Sequence, residues 1–156
     1  MKKFLFLTII LCWQTQSAQK AEVNWIGFEQ LEDSLKVETK PVVIYFYTDW
    51  CAYCKKMDRN AFRNQEVVSA LNGGYYAVKM NAESTENIEF DGQVFRNEQA
   101  EKKRNGIHQI PLLLAGRKNE SLAFPVVMVL DKDFRIKRKS HQYLTSEMMK
   151  KLLKGS

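Results

Sequence analysis

Two cysteines separated by two residues lie where a buried strand is expected to lead into a helix. Cys51 and Cys54 follow the apolar run Val42–Tyr47, and residues 55–62 begin with helical periodicity. A cysteine at the first turn of a helix lies beside unpaired backbone N–H groups and the positive end of the helix dipole, which favour the thiolate. The arrangement therefore predicts Cys51 as a nucleophile and Cys54 as the cysteine that resolves a mixed disulfide.

The first 21 residues have the layout of a secretory signal peptide. A positively charged start precedes the apolar residues 4–13, and the chain then becomes polar, with a plausible cleavage site near Ala18 or Ala21. The apolar run is short for crossing a bilayer, so a retained N-terminal anchor is the less favoured alternative. We expect a periplasmic or otherwise exported protein, whose domain at residues 22–156 has no stable membrane insertion after cleavage.

The cysteine count narrows the chemistry further. The chain has three cysteines, and Cys12 would leave with the signal peptide, so Cys51 and Cys54 would be the cysteines of the mature domain. An exported protein with a single pair has no disulfide framework, and the pair is then a redox centre or half of a metal site. Zinc usually takes four ligands, and the two histidines, His108 and His141, lie far apart in sequence. We therefore predict no metal and no other cofactor.

The formal net charge of +6 includes short basic clusters at residues 102–104, 117–118 and 135–139. No run interleaves basic with aromatic residues as a single-strand binder would, so we expect no nucleic-acid partner. We interpret the clusters as solvated faces, and an acidic docking partner is the less favoured alternative.

Hydrophobic periodicity and turn residues predict an α/β domain. The predicted strands are residues 24–26, 42–47, 75–80, 126–130 and 134–139. The predicted helices start at residue 28, after Cys51, and at residues 66, 107 and 145, and the third of them ends at residues 72–74. Thr145 is the expected cap of the last helix, and its expected buried stripe is Leu144, Met148, Leu152 and Leu153.

Residues 87–95 alternate around Asp91-Gly92, which is typical of a two-residue β-hairpin. The hairpin either roofs a groove beside the dithiol or covers an edge of the domain, and the sequence leaves both options open.

The order of elements, with Trp50-Cys51-Ala52-Tyr53-Cys54-Lys55 after the first central strand, resembles the thioredoxin superfamily over residues 23–153. The motif is similar to those of exported single-domain bacterial members and of the C-terminal domain of membrane-linked disulfide reductases. The resemblance implies a mixed central sheet with helices on both faces, early strands parallel, a final antiparallel pair, and the hairpin as an insertion. It also implies protein thiols and disulfides as partners and a membrane-linked electron donor.

The resemblance further implies a cis-proline that faces the dithiol. Pro111 and Pro125 are the candidates, and we favour Pro125 because a strand, a turn, a strand and a helix follow it in the expected order. A trans proline at the start of a strand is the alternative. The backbone of Phe124 would then pair with a substrate strand. The other expected substrate-binding residues are Trp50, Ala52 and Tyr53.

Two positions depart from the family pattern. The buried acid of the family would fall at Tyr45, and a glycine that lines the groove would fall around Gln142. Lys79 matches a partly buried lysine of the family. Lys79 and Lys55 are therefore the candidates for proton transfer or for tuning the pKa of the cysteines.

The favoured interpretation is a thiol–disulfide oxidoreductase that reduces protein disulfides outside the cytoplasm. Ala52 and Tyr53 provide no histidine between the cysteines to stabilise the thiolate, which favours a reducing couple. An oxidase or isomerase with the same site is the first alternative. A non-enzymatic thioredoxin-fold protein that binds peptides or assists assembly is the second.

Overall fold

The computed structural model describes residues 22–116 and 121–155; the predicted signal peptide lies outside the described residues. None of the helices in these two ranges combines the length and the apolar character that crossing a membrane requires. The elements in chain order are β1 (Trp25–Ile26), α1 (Phe28–Val37), β2 (Val42–Tyr47), α2 (Ala52–Arg59), a 3-10 turn (Ala61–Arg63), α3 (Gln65–Gly74), β3 (Tyr76–Asn81), β4 (Ile88–Phe90), β5 (Gln93–Phe95), α4 (Gln109–Ala115), β6 (Val126–Leu130), β7 (Ile136–Ser140) and α5 (Ser146–Lys154).

Five strands form a mixed sheet in the order β1-β3-β2-β6-β7. β3 pairs in parallel with β1 and with β2. β6 pairs antiparallel with β2 and with β7. The predicted α/β fold, with early strands parallel and the last pair antiparallel, is confirmed.

The sheet is covered on both faces because its central strands are apolar along their whole length. Tyr45 and Val127 face one layer, which α2, α3 and α5 build. Ile44 and Met128 face the other layer, to which α1 and α4 contribute. A strand buried on both faces reads as a continuous apolar run instead of an alternating one, and this is why β2 and β6 were recognisable.

Helix caps in the structure both confirm and correct the sequence predictions. The Thr145 hydroxyl accepts the backbone N–H of Met148, which confirms the predicted cap of α5. The predicted buried stripe of α5 is correct except at Met148: Leu144 and Leu153 are buried and Leu152 is partly buried, whereas Met148 is 38% exposed and Met149 is buried in its place. Leu144 precedes the helix and does not follow its periodicity, so a spacing of four residues from Leu144 does not lead to the buried face.

The predicted end of α3 at residues 72–74 is confirmed, since the helix ends at Gly74 and the chain becomes extended at Tyr75. The predicted start of β7 was wrong for a local reason. β7 starts at Ile136 instead of Phe134, whose φ of 62° belongs to the left-handed region. The side chain of Asp131 accepts the backbone N–H groups of Asp133 and Arg135, which lengthens the turn.

The insertion comprises residues 82–108, between β3 and α4. Its two ends are joined by a hydrogen bond, in which the Ala82 carbonyl accepts the backbone N–H of His108 at 2.8 Å. Its predicted hairpin is present, with Asp91 and Gly92 in the left-handed conformation that such turns require. The hairpin packs on α1: the ring of Phe90 lies 5.7 Å from that of Phe28.

The second half of the insertion is a folded loop at residues 97–107. The Asn97 amide donates to the carbonyl of Gly106 at 2.8 Å and to that of Ser84 at 3.0 Å. Asn97 Oδ1 also accepts the backbone N–H of Ala100 at 3.1 Å. A Cβ atom at Gly106 would collide with the backbone of Ala100, so only glycine fits this approach. These contacts hold the loop against the end of β3.

His108 is a fully buried histidine at the junction between the insertion and α4. Its Nδ1 accepts the backbone N–H of Ile110 at 3.2 Å, so it caps α4, and its Nε2 lies 3.2 Å from the carbonyl of Glu86. Both contacts are satisfied by a neutral imidazole protonated on Nε2. Burial lowers the pKa of His108 below its ordinary value of 6.5.

We predict that the free energy of unfolding decreases as the pH falls below 6.5, because the unfolded chain then binds a proton that the folded chain does not. The slope from this group is at most about 1.4 kcal/mol per pH unit. His108→Asn keeps a capping acceptor but cannot titrate, so the slope between about pH 6.5 and pH 5 should flatten. Urea denaturation at several pH values measures the slope. A His141→Asn variant is the control, and an equal loss of slope in that variant would contradict the assignment.

Candidate active site

Cys51 and Cys54 lie at the start of α2, as the sequence predicted. Cys51 is the N-cap of this helix, and its Sγ accepts the backbone N–H of Cys54 at 3.1 Å. The two residues form a disulfide with a Cα–Cα distance of 5.2 Å. Cys51 is 4% exposed and Cys54 is 1% exposed, so Cys51 lies slightly nearer the surface. The helix N-terminus thus directs the backbone N–H of Cys54 at the sulfur of Cys51.

The register of the sheet brings Pro125 to the same end as the dithiol. Phe46 pairs with Val126, so the segment that enters β6 lies beside the chain that leaves β2 toward Cys51. The peptide bond between Phe124 and Pro125 is cis, which confirms the choice of Pro125. Pro111 lies instead in the first turn of α4, where a missing N–H breaks no helix hydrogen bond.

Exposed and half-buried side chains, most of them aromatic, lie around the dithiol. Trp50 and Tyr53 are each 61% exposed, Ala52 is exposed, and Phe124 is half-buried. The ring of Tyr53 lies 5.9 Å from that of Tyr143. Gln142, at the position where the resemblance implies a glycine, is exposed. The next residue in the chain, Tyr143, forms the rim beside Tyr53.

A chain of hydrogen bonds ties the segment before Cys51 to the end of β3. The indole N–H of Trp50 donates to Glu83 Oε1 at 2.9 Å. The backbone N–H of Glu83 donates to Asn81 Oδ1 at 2.9 Å, and the Asn81 amide donates to Asp49 Oδ2 at 3.0 Å. This carboxylate–amide bridge positions Trp50 beside the insertion. Glu83 was not recognisable from the sequence, since its partner Trp50 lies on a distant segment.

Tyr45 contacts Cys54 from the sheet, at the position where the sequence resemblance implied a buried acid. Its side chain is fully buried, and its hydroxyl donates to the carbonyl of Cys54 at 3.2 Å. Burial, with a smaller contribution from the negative charge of Asp58, raises the pKa of Tyr45 far above its ordinary value. The hydroxyl therefore stays neutral and structural.

A carboxylate that the sequence analysis missed lies on α2. Asp58 follows Cys54 by four residues, so both lie on the same side of the helix. Its Oδ1 pairs with Lys79 Nζ at 2.8 Å, and both side chains are partly buried. Lys79 also lies over the ring of Tyr47 at 4.8 Å. Spacing from Cys54 was the one sequence signal that could have revealed Asp58.

The Asp58–Lys79 pair is reached from solvent through a polar cleft of about 240 Å³, lined also by Trp25 and Phe62. Lys55, the other predicted tuning residue, is exposed on α2, and no contact joins its ammonium to this pair. The structure thus brings Lys79, but not Lys55, together with a carboxylate behind the dithiol.

Comparison with known proteins agrees with this architecture. A family model described as a thioredoxin-like domain matches residues 28–154. Over 68 residues the chain is 32% identical to a thiol:disulfide interchange protein DsbD of Vibrio vulnificus, a match that covers 38% of this chain and 12% of the relative. The chain therefore corresponds to a small part of the length of that relative.

Two solved structures share the fold. A DsbH oxidoreductase aligns with a TM-score of 0.59 at 16% identity, over 92% of this chain and 90% of that chain. The solution structure of a protein from Bacteroides thetaiotaomicron described as a putative disulphide-isomerase aligns with a TM-score of 0.54 at 18% identity, over 86% of this chain and 93% of that chain.

We predict that Glu83→Ala releases the indole of Trp50, because the Glu83 carboxylate accepts its N–H. A hydrogen bond to a charged group contributes about 1 to 2 kcal/mol, so hydrogen exchange at the indole N–H should accelerate roughly fivefold to thirtyfold. Glu83→Gln keeps an acceptor oxygen and should retain most of the protection. NMR of the indole proton measures the exchange, and equal rates in the two variants would contradict the role of this contact.

Proposed function

Because the chain belongs to the thioredoxin-like domain family, we propose that it is an exported thiol–disulfide oxidoreductase that reduces disulfides in other proteins. The observation that carries the proposal is the Cys51–Cys54 pair at the N-terminus of α2. The helix N-terminus stabilises a Cys51 thiolate through backbone N–H groups and the helix dipole. The cis peptide at Phe124–Pro125 lies at the same end of the sheet and supports an adjacent binding surface for an extended substrate.

The proposed reaction takes two exchange steps, starting from the reduced dithiol. The Cys51 thiolate attacks one sulfur of a substrate disulfide, forms a Cys51–substrate disulfide, and displaces the other substrate sulfur as a thiolate. Cys54, once deprotonated, attacks Cys51 Sγ, forms the Cys51–Cys54 disulfide, and displaces the second substrate thiolate. Two electrons pass from the dithiol to the substrate, and the two substrate thiolates take up protons.

Substrate contacts in this proposal come from the exposed surface around the dithiol. Trp50, Ala52 and Tyr53 are exposed beside Cys51, and the backbone of Phe124 offers hydrogen-bonding groups to an incoming strand.

The signal-peptide pattern at residues 1–21 supports export. An exported reductase needs electrons delivered across the membrane, so a membrane-linked dithiol donor completes the proposed cycle.

We predict that Cys51→Ser abolishes the reduction of insulin in a dithiothreitol-coupled assay, because the attacking thiolate is lost and the remaining thiol, Cys54, is buried. Cys54→Ser should keep the first step and accumulate a mixed disulfide that mass spectrometry detects after non-reducing separation. The two serine variants are matched in volume and in loss of the native disulfide. Insulin reduction by the Cys51→Ser variant at the wild-type rate would contradict the proposal.

The direction of electron flow is tested by the reduction potential of the Cys51–Cys54 couple. A value of about −270 mV, as in thioredoxin, agrees with a reductase, whereas a value of about −120 mV indicates an oxidase. Equilibration with glutathione or dithiothreitol buffers measures it. Partner capture that survives the loss of both cysteines would instead favour a peptide-binding or assembly protein.

We also propose Asp58 as the group that accepts the proton of Cys54 before the second step. Tyr45 cannot do so, because its hydroxyl is neutral and donates to the Cys54 carbonyl. Asp58 lies one helical turn beyond Cys54, and Lys79 Nζ lies 2.8 Å from its Oδ1 at the polar cleft described above. Lys79 thereby acts as a positioning residue for the carboxylate.

We predict that Asp58→Asn slows release of the second substrate thiolate at neutral pH about tenfold or more, since a positioned base usually contributes at least that much. The first step should keep its rate, which separates a proton-transfer role from loss of folding. Single-turnover mixing of the reduced protein with a chromogenic disulfide resolves the two steps. Glu66→Gln, which removes a surface carboxylate on α3, is the control. Equal slowing of both steps would contradict the role of Asp58.

A further inference from the structure

A groove runs from the dithiol toward the insertion. It encloses about 370 Å³ between Trp50, the loop at residues 97–107, the start of α4 and the segment that leads to Pro125. Its apolar lining comes from Leu112, Leu122 and Phe124. Leu112 is 36% exposed, and Phe124 is the residue whose backbone precedes the cis bond. The groove is therefore continuous with the proposed substrate-binding surface.

The wall that the insertion contributes is held in place. Gln99 Oε1 accepts the backbone N–H of Ile107 at 3.2 Å, and Asn97 binds the Gly106 carbonyl from the same side. Trp50 is fixed on the facing side by Glu83. Both walls are thus arranged before a substrate arrives, which lowers the entropy cost of binding.

Charge is distributed unevenly along the groove. Glu83 lies at the Trp50 end, and its carboxylate accepts the indole N–H. Lys103 lines the insertion side between Lys102 and Arg104, all three exposed. Within the part of the chain that the structure describes, the Lys103 ammonium makes no ion pair. The insertion side of the groove therefore carries a positive charge at Lys103.

On the basis of the function proposed above, we propose that this groove selects substrate disulfides by the residues that flank the reacting cysteine. The favoured substrate is an extended protein segment with an aliphatic or aromatic residue next to the cysteine and acidic residues beyond it. The apolar residue occupies the floor formed by Leu112, Leu122 and Phe124. The carboxylates face Lys103 and its basic neighbours.

Two peptides that form symmetric disulfides test the charge preference. They carry leucine next to the cysteine and differ only in two glutamates or two lysines beyond it. The reduced protein should react about fivefold faster with the glutamate peptide at low salt, and the difference should shrink as salt screens it. Each rate is divided by the rate at which dithiothreitol reduces the same peptide, which corrects for differences in the intrinsic reactivity of the two disulfides.

Lys103→Glu should remove the preference for the glutamate peptide. Lys132→Glu makes the same charge change in the β6–β7 turn, at the opposite end of β6 from Pro125, and should leave the preference unchanged. An unchanged preference in the Lys103 variant, or none in the wild-type protein, would overturn the inference.

A second pair of variants tests the apolar floor. Leu112→Ser should reduce the preference for leucine over alanine next to the cysteine roughly threefold, because part of the buried apolar contact is lost. Leu113→Ser changes the next residue of α4, which is 69% exposed and lies outside the groove lining, and should have no effect. Equal effects of the two variants would contradict the assignment.

The outcomes also separate this inference from the function on which it rests. If the wild-type protein reduces neither insulin nor either peptide, the proposed function fails. If it reduces both peptides at the same normalised rate, the function stands and the selectivity of the groove is wrong.

Discussion

The antiparallel pairing of β2 with β6 is the interaction on which the candidate site depends. Both strands are buried on both faces, and a shift of one residue would move every side chain to the opposite face of the sheet. The register is therefore fixed by the two apolar layers, with Phe46 opposite Val126. That register alone brings the chain entering β6 to the end of β2 from which Cys51 emerges. The core of the domain thus holds together two segments that lie far apart in sequence.

Much of the fold could be predicted because its strongest signals are local. The central strands are continuous apolar runs, Asp91-Gly92 specifies its own turn, and Thr145 caps a helix that its hydroxyl contacts directly. The errors arose where an apolar residue fits a periodic pattern that its backbone conformation does not continue. Phe134 fits the strand pattern of β7, yet its φ of 62° is left-handed, and the Asp131 side chain accepts backbone N–H groups that lengthen the turn. A periodic pattern therefore predicts an element more reliably than it predicts the exact boundary of that element.

Of the candidate site, only the two cysteines and the cis-proline could be predicted from the sequence. Cys51, Cys54 and Pro125 were recognisable from motif and element order, and the structure places them at one end of the sheet. Asp58 and Glu83 were not, because their importance comes from contacts with Lys79 and Trp50, which lie on other elements. The wall that the insertion adds to the groove was equally hidden. A single sequence shows which side chains are present, but not which of them the topology brings together.

Tyr45 explains why the charged group lies on a helix instead of in the sheet. A tyrosine at this position fills the space below the dithiol with a ring packed between Trp25 and Phe62, and its raised pKa removes it from acid–base chemistry. A carboxylate there would be fully buried, whereas Asp58 is partly exposed, paired with Lys79 and open to a cleft. Partial exposure lowers the desolvation cost of the charge. The proposed proton acceptor thus lies below the dithiol and the proposed recognition groove beside it, on separate elements. A substitution in the insertion can therefore alter substrate choice without altering the chemistry of Cys54.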